Sequence, residues 1–205
     1  MQETPLGKSR LNIMGVNFDP TTMPSRIDDA IRQFISENPS RFSEDYEALS
    51  CPFYTDSIIA VLHSRNTIPD RLPSLWIASA TRIESVFHTE EKLKQANGAF
   101  GLKLTDSNVR HYAAFVSSIV AIKNGYDTSE VKDTASLAGA LGSNIDEIIS
   151  VRKSPGGWEI VAYLLRSEDY RVLRLQYGIN HDGDITDAQM ISCLDKSAPE
   201  KGYFL

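Results

Sequence analysis

Apolar residues recur at spacings of three and four along most of the chain, which predicts helices. In SRIDDAIRQFISEN, Ile27, Ile31, Phe34 and Ile35 fall on one face. Ser25 is placed as the N-cap with Asp28 three residues on, close to a capping box. Asp28 and Asp29 suit the positive end of the helix dipole, and Asn38-Pro39 stops the helix. The same spacing predicts a short helix in SEDYEAL, a second in TDSIIAVLHSR, and a long one in SLWIASATRIESVFHTEEKLKQA ended by Asn97-Gly98. NVRHYAAFVSSIVAIKN follows, capped by Asp106 or Ser107, with Tyr112, Phe115, Val116, Ile119 and Val120 in helical register and Gly125 as the residue after the helix.

After residue 145 the period shortens to two. DEIISVRKS, WEIVAYLLR and YRVLRLQYGI are rich in β-branched and aromatic residues and are separated by Pro155-Gly156-Gly157 and Ser167-Glu168-Asp169. That pattern predicts an antiparallel meander. Trp158, Ile160, Ala162 and Leu164 share one face of one strand; Arg171, Leu173, Leu175 and Tyr177 share a face of the next. The expected fold class is therefore α+β, with a mainly helical N-terminal two-thirds packed against a C-terminal antiparallel β meander. Residues 1–24, with Pro5, Pro20 and Pro24, read as a loosely ordered arm holding one short strand in LNIMGVNF. A single domain is expected over 25–205, with helices in 25–142 and the sheet in 145–194.

Composition narrows the function classes. At 205 residues the chain can bury a sizeable core without disulfide or metal staples. A net charge of −6 weighs against a dedicated nucleic-acid binder. Two cysteines far apart, Cys51 and Cys193, suit a reducing compartment. No apolar run reaches the length of a membrane span, and the N-terminus has no secretory h-region. A cytoplasmic protein is expected, or one exported without a cleaved signal peptide, as bacterial effectors are.

Few residues suggest chemistry. NHDGDITDAQ resembles a calcium loop of the EF-hand type. With Asp182 at position 5, Asn180, Gly183 and Ile185 fit, but Gly178 and Gln189 stand where the first and last carboxylates belong. A turn on Asp182-Gly183 joining two strands is expected instead. Gly7-Lys8-Ser9 lacks the leading glycine of a phosphate-binding loop. His63, His88, His111 and His181 lack zinc spacing, and neither a metal nor a cofactor is expected.

One cysteine stands out. LSCPFYTDSIIAVL puts Cys51 before a predicted helix, whose N-terminus would lower the thiol pKa. With the rhythm of GGWEIVAYLLRSEDYRVLRLQYG, this resembles the papain-like enzymes. The resemblance implies a thiol-dependent hydrolase or transferase, with Cys51 as nucleophile and His111 or His181 as base. Trp158 stands where that family's histidine belongs. SLAGALGSNIDEIISVRK is similar to a helix-turn-helix unit, although Asp146 and Glu147 sit on its would-be recognition helix.

Tyr163, Tyr170, Tyr177, Tyr203 and Phe204 gather in the last third, as binding surfaces often present aromatics. The function expected first is a non-enzymatic interaction or regulatory protein (an effector, an inhibitor or immunity-type protein, or an adaptor) whose partner is another protein. The papain-like enzyme is the alternative, and a helix-turn-helix DNA-binding regulator comes third. Oligomeric state is open.

Overall fold

Strand, rather than helix, dominates this chain. The computed structural model describes residues 11–65, 74–85, 90–123, 134–141, 145–166 and 171–192. Over these it forms ten strands and four helices, with the strands in three antiparallel sheets. The expected helical N-terminal two-thirds is thereby overturned. Two compact units are present: one holds Asn17–Cys51 and the described part of Asp56–Ser85, the other Asn12–Val16, Pro52–Thr55 and the described residues from Glu90 onward.

The N-terminal arm carries a small hairpin, β1 (Leu11–Ile13) and β2 (Val16–Phe18), where one strand was expected. Met14 and Gly15 turn it with positive φ, and Asn12 Oδ1 accepts the Gly15 N–H at 2.9 Å.

The first unit is one helix on one sheet. Helix α1 (Ser25–Glu37) forms where predicted, with Pro24 rather than Ser25 at the N-cap. Pro24 C=O accepts from Ile27 and Asp28 N–H, so the first turn is closed by backbone alone. The sheet runs in the order β3 (Phe42–Ser50), β4 (Ile58–Ser64), β5 (Ser74–Ala78), β6 (Ile83–Glu84). Ile27, Ile31 and Ile35 of the helix pack on Phe42, Ile58, Ala60, Leu62, Trp76 and Ala78. Each large side chain buried in this way contributes about 1.5–3 kcal/mol.

Three predicted helices are strands here. SEDYEAL lies in β3, TDSIIAVLHSR supplies β4, and SLWIA is β5. The cause is visible in β4, where Ile58 to Leu62 are all buried. A strand covered on both faces shows no alternation, and a short continuous apolar run reads as readily as a helix. In β3 the good helix formers Glu44, Glu47 and Ala48 were overridden by pairing with β4, such as Ala48 with Ala60.

The second unit contains α2 (Glu90–Ala99), α3 (Val109–Lys123), α4 (Thr134–Leu141) and a sheet ordered β10 (Ile185–Ser192), β9 (Arg171–Asn180), β8 (Gly157–Arg166), β7 (Ile149–Ser154). The expected meander and the expected helix α3 are both present; α2 is the tail of the long helix predicted from Ser74. Trp158, Ile160, Ala162 and Leu164 are buried together, as are Leu173, Leu175 and Tyr177 of the neighbouring strand. Tyr177 Oη donates to Ala113 C=O of α3 at 3.1 Å and pairs with Ser117 Oγ at 2.8 Å, fixing that helix to the sheet face. Ile149–Lys153, the second half of the expected recognition helix, lie in β7, and Asp146 and Glu147 before them are not helical.

Candidate functional site

A concavity in the first unit lies between α1 and β3. It has a volume of about 210 Å³. The helix side offers Arg32, Ile35 and Ser36, with Pro39 just beyond its end; the strand side offers Glu44 and Tyr46, and Arg65 follows β4. Helical spacing of three and four brings Arg32, Ile35 and Ser36 to one side. A register shift between Phe42 and Tyr46 bends β3 where it borders the cleft.

A polar clasp anchors the wall. Arg32 Nε donates to Asp28 Oδ2 at 2.8 Å, one turn back on the helix. Tyr46 Oη donates to the other oxygen, Asp28 Oδ1, tying strand to helix. The Arg32 guanidinium stands over the Tyr46 ring, 5.6 Å from its centroid. Arg32 first, then Tyr46, hold the Asp28 carboxyl below the usual carboxylate range. Burial, reinforced by Asp28, pushes the Tyr46 phenol up to about 12. Below the cleft, Phe34, Phe42 and Trp76 form an aromatic cluster with centroids 5.1–5.7 Å apart, capped by Arg41.

Strand β3 is also a sheet edge among the described residues. Its C-terminal half is covered: Thr21 N–H donates to Ala48 C=O at 3.0 Å, and Ser50 N–H to Asp19 C=O at 2.8 Å. Strand geometry turns the backbone groups of alternate residues outward, so Tyr46 presents its N–H and C=O on the same side. No described residue pairs with that side of β3 at Tyr46. Glu44, Asp45 and Glu47 make this stretch exposed and acidic.

The residues singled out by sequence lie elsewhere. Cys51 is buried at the end of β3 in the first unit. The segment after it is strand β4, so the helix N-terminus expected to activate its thiol is not there. His111 is half-buried in the first turn of α3, and His181 is exposed in the β9–β10 turn; both belong to the second unit. Trp158 packs edge-on against His181 at 4.8 Å and donates Nε1–H to Asp106 Oδ1 at 2.9 Å. Lys153 donates to the other Asp106 oxygen at 2.7 Å and, with Trp158, lowers that carboxyl's pKa.

The NHDGD segment is a turn between β9 and β10, as expected. Asn180 Oδ1 accepts from Asp182 and Asp184 N–H at 3.0 and 2.8 Å, and Asn180 Nδ2 donates to Asp184 Oδ2 at 3.1 Å. Asn180 Oδ1 and Asp184 Oδ2 thus serve the turn itself, and Asp184 Oδ1 pairs with Lys94 at 3.5 Å. Gly183 C=O accepts from Tyr112 Oη at 3.1 Å, Asn97 Nδ2 donates to that hydroxyl at 2.8 Å, and Tyr54 Oη donates to Asn97 Oδ1 at 2.7 Å. Of the C-terminal aromatics, Tyr177 is buried and Tyr163 half-buried. Tyr170, Tyr203 and Phe204 lie outside the described residues, as do His88, Gly125, Cys193, Gly7-Lys8-Ser9 and Ser167-Glu168-Asp169.

Sequence reasoning missed the cleft because it read β3 as a helix. The Asp28–Arg32 spacing was a legible signal for the clasp, but nothing in the spacing pointed to Tyr46 as its third member. No family model, curated protein or solved structure matches this chain.

Proposed function

We propose that this chain is a protein-interaction module that binds an extended segment of another protein along the open part of β3, beside α1. The observation that carries the reading is the cleft between a helix and a strand edge that no described residue pairs at Tyr46. Extended peptides recognise such edges by adding a strand: main-chain hydrogen bonds supply affinity and flanking pockets read alternate side chains. Tyr46 offers the backbone pair, Ile35 and Pro39 an apolar wall, and the clasp a preorganised one. The volume of about 210 Å³ is below the ~300–1,000 Å³ typical of small-molecule sites and suits one or two side chains of a peptide.

Peptide display tests the proposal. Random peptides are selected on the protein and retested on Ser36→Trp, which fills the cleft from an exposed position, and on Arg152→Glu, a control on exposed β7. The selected peptides should bind the parent and the control alike and lose at least tenfold in affinity on Ser36→Trp. Failure to select any binder, or equal affinity for all three proteins, contradicts the reading.

A further inference from the structure

Two guanidiniums, Arg32 and Arg65, line the cleft together with one carboxylate, Glu44, and the apolar side chains of Ile35 and Pro39. Asp28 occupies only the Nε donor of Arg32 in the clasp, and a guanidinium has five donors in a planar fork. That fork suits a carboxylate or phosphoryl group approached in its plane. From Glu44 at the cleft's strand side, the exposed edge continues through Asp45 and Glu47. A ligand matching both regions is anionic at its tip and cationic a few residues back. Strands rise about 3.3 Å per residue, so side chains two to four residues from the tip reach this acidic stretch.

We infer, resting on the reading above, that the partner segment is a C-terminal tail: its free α-carboxylate lies on Arg32 and Arg65, its last side chain is aliphatic and meets Ile35 and Pro39, and its preceding residues are basic. A chain terminus supplies the one carboxylate that needs no side chain to carry it, which suits the small volume. The acidic edge beyond the cleft sets orientation, because a reversed peptide would place its carboxylate beside Asp45 and Glu47 rather than its basic residues.

The test uses synthetic octapeptides with Lys-Arg-Lys at the third to fifth positions from the end and each of the twenty residues last. Every peptide is made as free acid and as C-terminal amide, and one further amidated set ends in phosphoserine. Binding is measured by fluorescence anisotropy. Free acids ending in Leu, Ile or Val should bind at least tenfold tighter than their amides, and Arg65→Gln should abolish that preference. Arg32→Gln should do the same, but Arg32 also holds Asp28, so Arg65→Gln is the decisive variant. Equal binding of acid and amide, while display-selected peptides still depend on the cleft, overturns this inference and leaves the interaction module standing. Tighter binding of the phosphoserine set assigns the cleft to a phosphoryl group and also overturns it. Loss of binding by every peptide, including those selected by display, overturns both.

Discussion

Two glycines show at the residue scale what the turns demand. Gly157 has φ +148°, and a Cβ built there would meet Ile179 C=O at 2.0 Å; Gly183 has φ +80°, and its Cβ would meet Leu102 Cδ2 at 2.3 Å and Tyr112 Oη at 2.8 Å. Gly156, next in the same turn, has nothing within 4 Å. Gly157→Ala should cost about 2–4 kcal/mol, because the obstacle is backbone and the conformation is strained. Gly183→Ala should cost about 1–3 kcal/mol, since side chains can give way. Gly156→Ala should stay within about 0.5 kcal/mol. Thermal melts of the three variants check this order, and equal losses at 156 and 157 would contradict it. Asp182-Gly183 announced the turn in sequence, but the seating of Gly183 against Tyr112 depended on contacts 71 positions apart and left no local trace. Cys51 is a second residue-scale case. Only 8% of its surface is exposed. In a Cys193→Ser background it should alkylate many times more slowly in the folded protein than in urea; equal rates would make it an accessible thiol.

At the scale of elements, α1 and β3 are joined by a clasp with a defined pH signature. Tyr46 has its pKa raised to about 12, so the stability of its neutral form is complete below pH 10 and declines as pH rises from 10 through about 12. Asp28 is lowered from 3.8, so its contribution is complete above that value and declines as pH falls through the lower folded value. Tyr46→Phe should therefore flatten the alkaline limb of stability, and Asp28→Asn the acid limb, in urea midpoints measured from pH 2.5 to 11.5. Limbs as steep as the parent's would contradict the clasp. Its helical half was legible, because Asp28 and Arg32 are four apart on a helix with a clear apolar stripe. The strand half was not. Ile58 to Leu62 bury every residue, and β3 is rich in helix formers, so tertiary pairing decided both. By contrast β8, β9 and α3 were read correctly, since glycine-bounded β-branched runs and a long periodic helix carry their signals locally.

The molecule as a whole divides into two compact units: a helix on a four-stranded sheet, and a meander covered by α3. A net charge of −6 and an acidic open edge are consistent with the proposed recognition of a basic segment. The proposed partner would be read by that edge and by the two arginines of the cleft, which spacing alone did not bring together. Hydrogen–deuterium exchange with and without a display-selected peptide addresses the central claim most directly, because a strand added at β3 must protect backbone amides there. The account predicts slowed exchange at Tyr46 and its neighbours in Phe42–Glu47, with β7 to β10 unchanged. Protection confined to β7 to β10, or no change at Tyr46 under saturating peptide, would contradict it.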